Sequence, residues 1–96
     1  MTDRELLHYA AKAAGMTIGA WCDNYGAYLY RGVEPGKSWW NALKSDGDAM
    51  RLAVKCLPFY TLSYSREDWE ECGHDGYAAT RLAIVKAAAE IGKEML

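Results

Sequence analysis

The stretch Asp75-Gly76-Tyr77-Ala78-Ala79-Thr80-Arg81-Leu82-Ala83-Ile84-Val85-Lys86-Ala87-Ala88-Ala89-Glu90-Ile91-Gly92 decides the fold. Asp75 is a good helix cap, because its carboxylate can accept from the first free backbone N–H groups. Behind it, Tyr77, Ile84, Ala88, Ile91 and Met95 share one helical face, and Ala78, Leu82, Val85 and Ala89 share the adjacent one. Together they make an apolar stripe wider than about 100°, the kind that packs flat on a sheet. The spacing predicts a closing helix over 76–94.

Two more helices precede it. Thr2 and Glu5 stand at capping-box spacing. Leu6, Tyr9, Ala10 and Ala13 follow at helical spacing, and Gly15 sits where a left-handed residue ends a helix, which predicts a helix over 3–14. Ser45 or Asp46 can cap a helix over 47–57. Its core stripe is Ala49, Leu52, Ala53 and Cys56, and Pro58 stops it.

Between the first two helices the period changes to that of strands. Thr17 to Cys22 and Ala27 to Tyr30 read as a hairpin over 17–30, with Asn24 and Gly26 supplying positive φ in the turn. Arg31 to Ser45 reads as a loop, broken by Gly32, Pro35 and Gly36 and carrying Trp39 and Trp40. Adjacent indoles cannot share a strand face, so at least one should point away from the core and offer a contact for a homodimer or a partner. Phe59 to Tyr64 alternates and predicts a third strand over 59–65. Residues 66–76 are polar and acidic, with a short fourth strand or none. The predicted class is α/β (α+β): one domain over 1–96, in the order α-β-β-α-β-(β)-α, with a small, mostly antiparallel sheet. A three-layer α/β/α sandwich follows if helices cover both sheet faces, and a two-layer arrangement otherwise.

Composition bounds the function. Ninety-six residues suit a single core that buries roughly 65% of the unfolded surface. Eleven Lys and Arg against thirteen Asp and Glu give a net charge of −2, which argues against duplex nucleic acid. No apolar run approaches a membrane span, and the charged start has no signal-peptide pattern. Three widely spaced cysteines, Cys22, Cys56 and Cys72, read as free thiols in a reducing cytoplasm. Four Trp and seven Tyr against a single Phe favour binding surfaces, where amphipathic rings are enriched.

Several patches resemble the phage ABA-sandwich family of small phage and prophage proteins. They are Met1 to Leu7 with Ala10 to Gly15, Trp40-Asn41-Ala42-Leu43, Asp46 to Lys55, and Ala79 to Arg81 followed by Ala83 to Gly92. At Ala42 the family often has proline. The resemblance covers roughly half the chain in the family's order. It implies a sheet sandwiched between helices and implies no activity. The chain departs from the family between Gly19 and Ser38 and between Pro58 and Gly76, so a specialised function is expected in those aromatic and acidic segments.

The motifs for catalysis are weak. Asp46 and Asp48 suggest a calcium loop, but the remaining ligands of such a loop do not follow, and capping explains both. Cys72 and His74 make half a zinc site. As a nucleophilic dyad they would suffer from neighbouring glutamates, which raise a thiol pKa. His8 flanks the first helix's stripe. There is no P-loop, no G-x-S-x-G and no H-E-x-x-H. No catalytic residue, metal or cofactor is assigned.

Two binding patterns remain. Residues 66–75 carry a net charge of −4 and contain Trp69, which suggests an acidic surface with an aromatic anchor for a basic protein. The partner-binding residues are then Glu67, Asp68, Trp69, Glu70 and Glu71, with Trp39 and Trp40. Alternatively, Tyr28, Tyr30, Arg31 and Trp40 could stack a base and neutralise its phosphate, making the protein a sponge for a nucleotide-type signal. The leading expectation is a phage-encoded, non-enzymatic binding protein in the bacterial host's cytoplasm, a counter-defence or host-takeover factor inhibiting a host protein. A small hydrolytic enzyme is the third reading.

Overall fold

The computed structural model describes residues 2–30, 39–56 and 64–95. Its elements are α1 (Asp3–Ala13), β1 (Ile18–Cys22), β2 (Ala27–Tyr30), β3 (Trp39–Trp40), α2 (Asp46–Cys56), α3 (Arg66–Glu71) and α4 (Gly76–Glu94). The strands form one antiparallel sheet in the order β1-β2-β3, so the fold is α+β.

Local chemistry sets the ends of α1. The Thr2 hydroxyl accepts the Glu5 N–H at 3.2 Å. At the far end Gly15 adopts φ +67, its N–H donates to Lys12, and the Met16 N–H reaches back to Ala11 at 3.0 Å. This is the Schellman arrangement, and Met16 packs against the core as the arrangement favours.

In the hairpin turn Gly26 alone is left-handed, with φ +58, and its N–H closes on the Cys22 carbonyl at 2.8 Å. Asn24 was expected to share that conformation and does not, because one glycine suffices for this turn. The register pairs Cys22 with Ala27 and Trp21 with Tyr28, and shifts by a bulge before Ile18 meets Tyr30.

Trp39 and Trp40 do not lie on a loop, as the sequence suggested. They form β3, where Tyr28 pairs with Trp40 and Leu29 with Trp39. Strand alternation separates the two indoles. Trp40 enters the core at 2% exposure, and Trp39 lies on the other face, stacked on Tyr25 at 4.6 Å. The described core cluster includes Tyr28 and Trp40 but not Leu29 or Trp39, so it joins the sheet on one face. Residues 59–63 of the expected third strand lie outside the described residues. Its end, Tyr64 and Ser65, is in no regular element.

Asn41 ties the sheet to α2. Its side-chain amide donates to the Gly26 carbonyl, its Oδ1 accepts the Leu43 N–H at 2.8 Å, and its own N–H donates to Asp48 at 3.1 Å. Ser45 caps α2 by accepting the Asp48 N–H. Asp46 is left to pair with Arg81 at 2.6 Å, and Arg81 Nε donates to the Leu43 carbonyl.

The apolar stripe of α4 shares the core cluster with Tyr28 and Trp40 of the sheet, and it also meets helices: α4 contacts α1, α2 and α3. Small residues allow this. Ala88, Ala89 and Gly92 on α4 and Ala10 and Ala11 on α1 are all buried. At Gly92 a Cβ would collide with the Tyr9 carbonyl oxygen, so the two backbones touch. Lys12 Nζ then reaches the Met95 carbonyl at 2.8 Å, and Asp3 and Leu6 lie beside Leu82 and Lys86. The contacts advance in the same direction along both helices.

Candidate functional site

The acidic segment that the sequence left as a strand or none is a helix, α3, of six residues. A helix this short gains little from its own ladder, because nucleation dominates. Its ends explain why it forms. Ser65 Oγ accepts the Asp68 N–H at 3.1 Å, and Asp68 accepts the Ser65 N–H at 3.3 Å, a complete capping box. Tyr64, just before the cap, stacks on Trp69 with ring centroids 5.6 Å apart and planes 15° apart. That is the hydrophobic staple.

At the other end the Gly73 N–H donates to Glu70 and the His74 N–H to Trp69, both residues at φ +66. This is a second Schellman closure. His74 stacks on Trp69 at 5.5 Å and 15°, which supplies the apolar contact such closures favour. In a helix of six residues the position stapled from the front is also the position touched from the back. Trp69 is both, so one indole holds both ends.

The five acids of the segment then divide. Asp68 is 6% exposed and bonds Lys86 Nζ at 2.7 Å. Burial pushes its carboxyl up, but the hydrogen bonds from Lys86 and Ser65 and the ammonium's charge outweigh that and hold it below the usual carboxylate range. The same Asp68 bond holds the Lys86 ammonium above its ordinary value, against the opposing effect of burial. Asp68 therefore belongs to the scaffold. Glu67, Glu70, Glu71 and Asp75 are exposed. Glu70 pairs with Arg66 at 3.3 Å and Glu71 lies 3.5 Å from Lys86, both in water. Asp75 caps α4 by accepting the Tyr77 and Ala78 N–H groups. Among the described residues neither Glu67 nor Asp75 has an ion-pair partner. The surface is thus a strip of carboxylates beside a half-buried indole flanked by two exposed rings.

The nucleotide-stacking set is dispersed. Tyr28 is 6% exposed, donates its hydroxyl to the Arg4 carbonyl at 3.1 Å, and meets Trp21 edge-on at 5.0 Å. Trp40, proposed for both surfaces, is buried with it. Both rings fill the core, the common fate of large aromatics in a small domain. The side chain of Tyr30 and all of Arg31 lie outside the described residues.

Cys72 caps the end of α3, half-buried. Burial raises its thiol pKa, and Glu71, Asp68 and Asp75 raise it further against the pull of Arg81, so little thiolate forms at neutral pH. Burial likewise pushes the Cys56 thiol up. Among the described residues no three His, Cys, Asp or Glu side chains gather as a metal site. Asp46 and Asp48 diverge, one to Arg81 and the other buried beneath Asn41 and Arg51. Among the described residues no helix is long and apolar enough to cross a membrane.

Sequence reasoning missed Tyr64 and His74 as neighbours of Trp69. The signal was present as Ser65-x-x-Asp68, with an aromatic before the cap and Gly73 behind the helix. With this geometry established, we compared the chain with protein-family models, curated proteins and solved structures, and none matches.

Proposed function

We propose that the protein is a non-enzymatic binding module that docks on a basic surface of another protein through α3. The observation that carries this is the presentation of Glu67, Glu70 and Glu71 around Trp69, on a helix whose two ends are closed by side-chain caps and stacked rings. A preformed recognition element binds without the ordering cost of a flexible loop, and clustered charge accelerates encounter with an opposite surface. The likeness of several segments to phage ABA-sandwich proteins supports a part in infection. The module would act in the bacterial cytoplasm as a counter-defence or host-takeover factor. The raised thiol pKa of Cys72 and the service of His74 in helix closure weigh against a hydrolase centred on them. The burial of Tyr28 and Trp40 weighs against the nucleotide sponge.

The test is the triple variant Glu67→Lys, Glu70→Lys, Glu71→Lys, with Asp68 left intact because it holds the cap. Affinity capture from bacterial lysate with the native protein should recover a basic protein whose retention falls as salt rises. The variant should keep its melting temperature and lose that protein. Equal recovery by both forms, independent of salt, overturns the reading.

A further inference from the structure

α4 contacts both α3 and α2; near its start Gly76 lies against Trp69 and Tyr64, and Arg81 pairs with Asp46. Between α2 and α4 runs a shallow, mostly apolar groove lined by Ala49, Met50, Tyr77 and Ile84 together with the Asp46–Arg81 ion pair. Its floor, Ala49 and Ile84, is buried, but Tyr77 is 76% exposed and Met50 54%, and Val54, one turn beyond Met50, is 66% exposed. Exposed apolar groups gathered in one place mark a contact surface, and methionine adapts to varied partners. The groove is continuous with the acidic strip. A Cβ on Gly76 would stand 3.6 Å from both Trp69 and Tyr64, so the residue before Tyr77 sits against the ring stack. His74, Asp75, Gly76 and Tyr77 then lead in chain order from the stack to the groove.

Charge says what fits there. Arg81 is engaged by Asp46 and the Leu43 carbonyl, Arg51 by Asp48, and Arg66 by Glu70. Of the five acids in residues 66–75, Glu67 and Asp75 have no ion-pair partner among the described residues. The face is apolar with an acidic flank. An anionic ligand is repelled, and a second copy placed on the same face would set acids against acids.

We propose that this groove takes the apolar side of a basic amphipathic helix from the partner protein, while the same helix lays its cations along α3. This rests on the docking reading above and adds a second, separable contact.

The probe is a fluorescein-labelled synthetic helix of about 14 residues, with leucines on one face and arginines on the other. Two matched peptides accompany it, one with serine for leucine and one with glutamine for arginine. Binding to the full chain is read by fluorescence anisotropy at low salt. The leucine–arginine peptide should bind tightest. Met50→Ser with Tyr77→Ala, both at exposed positions and neither changing charge, should weaken that peptide by about tenfold, as loss of an apolar anchor does, and leave the serine peptide unchanged. The α3 charge reversal should weaken both arginine peptides. Equal binding of the leucine and serine peptides, or no effect of the groove variants on a protein of unchanged melting temperature, overturns the groove. If the groove variants weaken binding while the charge reversal does not, the groove stands and the α3 reading fails. Absence of binding by every peptide overturns both.

Discussion

The seam between α1 and α4 and the short helix α3 achieve order by opposite means. The seam is specified by what its residues lack: alanines and one glycine let two backbones touch, and dispersion and burial do the rest. α3 is specified by what its residues carry, since hydroxyl, carboxylate and three rings close its ends. The first kind of order is global, because parting α1 from α4 opens the core. The second is local, because α3 can loosen while the core stays shut. A binding surface belongs on the second kind, where side chains can change without endangering the fold.

The sharpest way to break this contrast is Gly92→Ala. The added methyl meets the Tyr9 carbonyl, and backbone cannot rotate aside. The substitution should cost more than the usual ~1–3 kcal/mol of overpacking, despite the helix propensity gained. Urea denaturation should show a large fall in midpoint or no folded protein. A midpoint at or above the native one would mean that the seam is loose.

Next in size is Leu7→Ala, which removes a wholly buried side chain from the same seam and should cost about 3 kcal/mol. The loss should appear equally in near-ultraviolet and far-ultraviolet transitions, because the seam is global.

Trp69→Ala and Ser65→Ala probe the other regime. Ser65→Ala should cost about 1 kcal/mol as a lost cap. With Trp69→Ala both ends of α3 open together. Hydrogen exchange should quicken at the amides of Cys72, Gly73 and His74 in Trp69→Ala, with the central amides of α1 and α4 unchanged. Faster exchange throughout would show that α3 and the seam form one cooperative unit.

The smallest effect is electrostatic. The Asp68 carboxyl titrates below its ordinary range in the folded state, so its contribution is present above the unfolded pKa of about 3.9. It is lost as pH falls through the lower folded value. Lys86 titrates above its ordinary value, so its contribution is present below about pH 10.4 and is lost as pH rises through the higher folded value. Its side chain is 43% exposed, and water screens the pair. Asp68→Asn should therefore cost less than about 1 kcal/mol at neutral pH. The difference between variant and native protein should vanish in acid. A difference that persists at pH 2 would assign the cost to packing.

What the sequence disclosed follows the same division. α1, the hairpin, α2 and α4 were legible because their signals are periodic or lie at their ends: Thr2, Gly15, Gly26, Ser45 and Asp75 act where they stand. β3 was not, because two residues carry no period and their strand exists only through pairing with β2. α3 was not, because six residues show no 3.6-fold stripe, although its capping pair was in view. The contact at Gly92 has no signature in the chain, since a glycine within a helical pattern looks the same whether or not another backbone lies against it. In the candidate site the acidity was legible and its distribution was not. Asp68 reads like its neighbours, and only the fold turns it inward to Lys86.

Because a single indole latches α3 from both sides, the helix has a fixed length. Inserting or deleting one residue between Ser65 and His74 would rotate Trp69 away from one of its two rings and undo a closure. Substitution at Glu67, Glu70 or Glu71 disturbs neither. Descendants of this sequence can therefore rewrite the outward letters of α3 freely while its spacing stays constant. A library randomised at those three positions would sample new specificities on an unchanged frame, whereas one that varied loop length would mostly return unfolded tips.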